Sequence, residues 1–199
     1  MNASPIRTSD SGRGAPSDAE GDRSLMKGVV QGNERAFEAL VRRHSARLHA
    51  VARRLLGSPA DAEDAVQRAF LRSYTSAATY RPEWAVSTWL YRILTNICID
   101  EFRRRAARAA GEDAARREID PRQQPLPLSQ DADLERALRR VPPEARVLLA
   151  LRYVDGLPYR EMARVRGISI NTVKSQLARG KSILRAALGG ERALGGDHP

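Results

Sequence analysis

Residues 156–188 read GLPYREMARVRGISINTVKSQLARGKSILRAAL. A short run with apolar residues at helical spacing stops at Gly167. A second run opens with Ser169 in position to cap it and Thr172 three residues on. Two helices around a glycine turn have helix-turn-helix spacing. In such a unit Leu157, Met162 and Val165 bury against Ile168, Val173, Leu177 and Ile183 or Leu184, which leaves Asn171, Lys174, Ser175, Ala178 and Arg179 outward. Seven cations fall between 159 and 188 (Arg160, Arg164, Arg166, Lys174, Arg179, Lys181 and Arg185) against one carboxylate, Glu161. The resulting +6 is more than half of the chain's formal net charge of +10. A helix whose early residues touch base edges while flanking cations meet phosphates suits the major groove of DNA. The plain alternative is an αα-hairpin with a solvated basic face, and the combination of turn, cap and charge favours DNA over it.

Around this segment the composition is that of a helical protein with a polyanionic partner. The 199 residues have a sequence pI near 10.7, 42% hydrophobic residues and only 5% aromatics. Ala, Arg, Leu and Glu abound and β-branched runs are missing, so local propensity predicts helix almost throughout and an all-α fold. Residues 1–23 are small, polar and punctuated by Gly and Pro, which predicts a disordered tail. Apolar periodicity fills residues 24–105, fades over 106–130, where Pro121, Pro125 and Pro127 disfavour helix, and resumes over 131–188. The expectation is therefore two small helical domains joined by a flexible linker, the second holding the helix-turn-helix, followed by a disordered tail over 189–199. Nothing in the sequence fixes how the two domains sit on one another. No apolar run reaches the length of a membrane span and no apolar signal segment opens the chain. A lone cysteine, Cys98, fits a reducing compartment, so the cytoplasm is expected, without direct membrane insertion.

Two helices carry the first domain's polar chemistry. Residues 58–74, SPADAEDAVQRAFLRSY, place Asp61, Glu63 and Asp64 near a helix N-terminus, which by itself is ordinary capping chemistry. Residues 87–105, STWLYRILTNICIDEFRRR, place Leu90, Leu94 and Ile97 on a buried stripe and Trp89, Arg92, Asn96, Asp100 and Arg103 on another flank. An amide and guanidinium groups interleaved with an aromatic suit unpaired bases and a phosphate backbone. Catalysis finds little support. His44 and His49 are five apart and do not pair on one helix face, Cys98 falls beside the apolar stripe, and no GxxxxGK phosphate loop exists, so no metal, cofactor or enzyme activity is expected.

Taken in order, DAEDAVQRAFLRSY, STWLYRILTNICIDEFRRR, a Pro-rich linker and GLPYREMARVRGISINTVKSQLARGKSILR resemble a sigma-70 family RNA polymerase sigma factor of the extracytoplasmic-function group. The resemblance covers roughly residues 24–188. It implies promoter-specific transcription initiation on core RNA polymerase, with recognition of −10 and −35 elements and help in melting the promoter. It implies that Asp61, Asp64, Gln67 and Leu71 serve docking on the clamp coiled coil of the polymerase largest subunit, Phe70 and Leu71 being partly core. The loop 80–87 with Trp84, and then Trp89, Arg92, Asn96, Asp100 and Arg103, are implied to line the −10 single strand, with a core position as the other reading of Trp89. Lys174, Ser175, Ala178 and Arg179, with Asn171, are implied to face the −35 element, and Arg160, Ser169 and Thr172 its backbone. Arg164, Arg166 and Arg185 are off that line and should meet only phosphate or solvent. Leu148, Leu149 and Tyr153 are implied candidates for the polymerase flap, although their helical spacing also suits core. An anti-sigma factor is a further implied partner. One departure stands out: Pro158 occupies the place where relatives often have Ser, so the capping box toward Glu161 is lost. The rival reading is a stand-alone helix-turn-helix regulator whose first domain senses or dimerises.

Overall fold

The computed structural model describes the backbone of residues 16–115 and 130–194, and the side chains of 19–108 and 133–188. The described residues form eight α-helices and one 3-10 turn, with no strand. In the first half these are α1 (Pro16–Val30), α2 (Glu34–Leu56), α3 (Pro59–Thr75), the 3-10 turn Ala77–Thr79 and α4 (Val86–Ala115). The second half contains α5 (Gln130–Arg139), α6 (Pro143–Tyr153), α7 (Tyr159–Arg166) and α8 (Ile170–Leu194). The expected boundaries are overrun in three places: α1 begins inside the expected tail, α4 runs ten residues into the expected linker, and α8 reaches Leu194. Ala- and Arg-rich sequence carries enough propensity to continue a helix already nucleated by a packed segment. The remaining linker and tail expectations lie outside the described residues.

Local chemistry sets where the helices start and stop. Asn33 caps α2 by accepting the Ala36 N–H at 3.2 Å, and Gly57, at φ 76°, ends the helix with its N–H on the Arg53 carbonyl. A positive φ of this kind is costly for any residue with a Cβ, which explains a glycine there. Ser58 caps α3 through the Asp61 N–H at 3.3 Å, with Pro59 at the first helical position. Leu40, Leu48, Val51 and Leu55 of α2 pack on Val66, Ala69 and Phe70 of α3 and on Leu90, Leu94 and Ile97 of α4. Tyr91, Thr95 and Phe102 form a second buried row on α4, so that helix is covered on more than the one face its leucines announce.

The second cover is the other domain. Helices α6 and α7 pack against α2 and α4, so the two halves form one docked body. The Arg146 guanidinium lies 4.5 Å from the centre of the Phe102 ring, and Asp155, in the α6–α7 connection, is 3.9 Å from Arg47. The buried Tyr91 hydroxyl and the Asp155 carboxylate are neighbours across this seam.

α1 is tied to α2 by Asp22, which is buried and holds Arg43 Nη1 at 2.7 Å and His44 Nε2 at 2.9 Å. Burial lowers the His44 pKa despite the Asp22 carboxylate, while Arg43 and Arg47 lower it further. The folded protein therefore takes up this proton at lower pH than the unfolded chain, and the associated stability is lost as pH falls from the ordinary value of about 6.5 through the lowered value of the folded state. Thermal melts should show a lower Tm at about pH 5.5 than at about pH 7.5, with a shallower difference in His44→Gln. An equal pH dependence in the two proteins would place the titration elsewhere.

Candidate nucleic-acid and polymerase interface

Helix α7 meets α8 at Gly167, whose φ of 67° ends α7 with N–H contacts to the Ala163 and Arg164 carbonyls. Ser169 Oγ accepts the Thr172 N–H at 3.0 Å and lies 2.9 Å from Thr172 Oγ1, so the expected cap is formed. Val173 and Leu177 are buried against Met162 and Val165, as the apolar spacing predicts. Gly180 continues the buried side. A Cβ there would come 3.2 Å from Leu149 Cδ1 and 3.3 Å from Ala145 Cβ, tighter than ordinary van der Waals contact, so α8 approaches α6 as closely as a glycine allows.

The opposite side of α8 is open. Asn171, Lys174, Ser175, Ala178 and Arg179 are exposed and Thr172 is half-buried, with Arg160 exposed at the start of α7. Lys174 with Ala178, and Ser175 with Arg179, are i, i+4 neighbours that form two adjacent rows on one face. Pro158 opens α7 with no side-chain cap, and its carbonyl takes the Glu161 and Met162 N–H groups instead. The lost capping box is thus replaced by backbone, without disturbing the helix start.

On α4, Arg92, Asn96, Asp100 and Arg103 are all exposed and follow one line along the helix. Arg103 lies 3.6 Å from Asp100. Trp84 is half-buried in front of this line, with the Arg92 guanidinium 5.2 Å from its ring centre. The loop is pinned from behind, since Tyr80 donates its hydroxyl to the Trp84 carbonyl at 2.7 Å and meets Trp89 edge-on at 5.6 Å. Trp89 itself is 6% exposed, a core position, and it packs behind the loop.

Helix α3 presents Glu63, Asp64 and Gln67 to solvent. Glu63 accepts from Gln67 at 2.9 Å and contacts His49 Nε2 at 2.7 Å, which holds its carboxyl below the usual range. Asp64 pairs with Arg68 at 3.2 Å. Leu71, expected to be partly core, is 65% exposed beside them. Asp61 is half-exposed and paired, because Arg105 reaches it at 2.7 Å while also holding the Leu56 carbonyl at 3.1 Å. In the second domain Leu148 and Leu149 are core, while Tyr153 is 66% exposed at the edge of a cleft of about 450 Å³ lined by Leu134, Leu138, Leu149 and Leu184. Cys98 is buried and its thiol is pushed up to about 12 by desolvation, an inert hydrophobe.

Sequence reasoning missed Arg166. Expected to meet phosphate or solvent, it is half-buried and donates from Nη1 to Asn96 Oδ1 at 3.0 Å. No local pattern signals a contact between residues 70 positions apart.

Comparison with known proteins adds to this geometry. The profile described as Sigma-70 region 2 matches residues 40–108, and that described as Sigma-70, region 4 matches residues 131–184. The ECF RNA polymerase sigma factor SigM of Mycobacterium tuberculosis is 35% identical over 179 residues, covering 89% of this chain and 88% of its own. SigW of Bacillus subtilis is 28% identical, covering 83% of this chain and 96% of its own. The solved structure of CnrH in complex with the cytosolic domain of CnrY matches with a TM-score of 0.62 at 27% identity, covering 85% of this chain and 98% of that one. No helix among the described residues is long and apolar enough to cross a membrane. With regions 2 and 4 both matched in order on an all-α scaffold, the chain belongs to the sigma-70 family in its extracytoplasmic-function group, whose members direct promoter-specific initiation by RNA polymerase and are not themselves enzymes.

Proposed function

We propose that residues 24–105 bind core polymerase and capture the −10 strand, and that residues 131–188 read the −35 element. The observation that carries this division is the pair of exposed faces: Arg92, Asn96, Asp100 and Arg103 on α4, and Lys174, Ser175, Ala178 and Arg179 on α8. Each has the chemistry its target needs. The α4 line offers an amide and guanidinium groups behind Trp84, which suits a flipped or unstacked base. The α8 face offers a cation at each end of small side chains that let the helix enter a groove, with Asn171 beside them and Ser169, Thr172 and Arg160 toward phosphates.

Polymerase docking falls to Asp64, Gln67 and Leu71 on α3, whose acidic rim and exposed leucine complement the basic clamp coiled coil of the largest subunit. Asp61 contributes by orienting α3 through Arg105. The cleft beside Tyr153 is the flap-facing surface, apolar on its floor and cationic where Arg54 and Lys181 border it. CnrH is held by the cytosolic domain of CnrY. An anti-sigma protein is accordingly a proposed partner here, and the cytoplasm, where polymerase works, is the proposed location.

The α3 assignment is tested by a charge reversal. Asp64→Lys together with Gln67→Arg should weaken binding to core polymerase by at least about tenfold, the scale of like charges meeting across an interface. Both side chains are exposed, so the Tm should not move. Unchanged affinity in a core titration would show that this side of α3 is merely solvated.

A further inference from the structure

The end of α7 touches the centre of the α4 line. Arg166 is the last residue of α7, and its guanidinium donates to the Asn96 amide oxygen at 3.0 Å. Charge alone does not hold it there. Arg92 and Arg103 act on it as like charges from α4, with Glu144 of α6 the opposing carboxylate. What keeps Arg166 in place is the docking of α6 and α7 on α2 and α4, through Arg146 on Phe102 and Asp155 near Arg47 and Tyr91.

The contact is chemically pointed. A side-chain amide reads an unpaired base by accepting from an amino or imino N–H and donating in return. In the docked protein a guanidinium N–H already occupies that acceptor, on a side chain that is otherwise exposed. We propose that Arg166 is an internal competitor of single-stranded DNA for Asn96. Domain docking and −10 capture are then mutually exclusive uses of one side chain, and the free protein is withheld from the strand until the seam between α7 and α4 opens. This rests on the assignment of Asn96 as a −10 contact.

The sign of one measurement separates this from a plain basic patch. Removing a cation from a DNA-binding surface ordinarily weakens binding, because a phosphate contact and its released counterion are lost. The competitor predicts the reverse. Free full-length protein is titrated into a fluorescein-labelled pool of short random-sequence single-stranded DNA and followed by anisotropy. Arg166→Ala should bind about tenfold more tightly than wild type, the factor expected when a competent conformer populated about a tenth of the time becomes dominant. Arg164→Ala, which removes an exposed charge two residues earlier, should bind no more tightly than wild type. Adding Asn96→Ala to Arg166→Ala should abolish the gain.

Weaker binding by Arg166→Ala would make Arg166 a phosphate contact and overturn the proposal. A gain that survives Asn96→Ala would also overturn it, because the occluded group would then be another. The underlying assignment fails separately. If Asn96→Ala in the polymerase holoenzyme leaves promoter opening unchanged, Asn96 is not a −10 contact. If it impairs opening while Arg166→Ala leaves free-protein binding unchanged, the contact stands and the competition does not.

Discussion

Shortening Leu148 to alanine is expected to cost the protein ~2–5 kcal/mol of stability, the range for emptying a fully packed leucine site. Leu148 has no exposed surface, and with Val147 and Leu151 it makes α6 the central strut of the second domain. Such a site relaxes poorly, since α8 already rests on α6 at Gly180 with too little room between them for a methyl group at ordinary contact distance. The consequence reaches function through position. The residues proposed to face the −35 element all ride on α8, so a loosened α6 should depress initiation most at promoters that depend on that element. Denaturant unfolding gives the stability change, and a loss below about 1 kcal/mol would mean that α6 is not packed as described.

The second large effect belongs to the recognition helix. Arg179→Ala or Lys174→Ala should cost ~1–3 kcal/mol at a cognate −35 element and relax discrimination at one base pair. Arg185→Ala, on the same helix but off the outward rows, should weaken all sequences alike and lower the salt slope by about one unit. The measurement is made on holoenzyme with promoter libraries randomised across the −35 element at two salt concentrations. Equal losses on every library member for Arg179→Ala and Arg185→Ala would reduce α8 to a source of charge.

Legibility in the sequence followed the range of the interaction. The Gly167 turn, the Ser169 cap and the burial of Met162, Val165, Val173 and Leu177 are set within a few residues, and each is readable in the sequence. The outward residues of α8 followed from the same periodicity. What escaped was long-range. Leu71 falls in an apolar series yet faces solvent, because periodicity finds a stripe without showing where its cover ends. Trp89 lies on the polar flank by angle, and Tyr80 buries it. The second buried row of α4, the commitment of Asp61 to Arg105 and the Arg166–Asn96 contact arise from which helices meet, and no window of sequence holds that information. The helix ends at Ala115 and Leu194 were missed because Ala- and Arg-rich segments read as linker or tail when no packing face is visible.

The central claim is that this chain turns core polymerase into a promoter-specific enzyme through two separate DNA-reading faces. Run-off transcription with core RNA polymerase on a promoter library tests it most directly, using wild type, Asn96→Ala and Arg179→Ala. The wild type should start discrete transcripts from a subset of promoters sharing two spaced elements. Arg179→Ala should change the selected upstream element alone, and Asn96→Ala the downstream one alone. Protein that gives no specific transcript with core polymerase, yet shifts duplex DNA tightly without it, would contradict the claim and make the chain a stand-alone helix-turn-helix regulator.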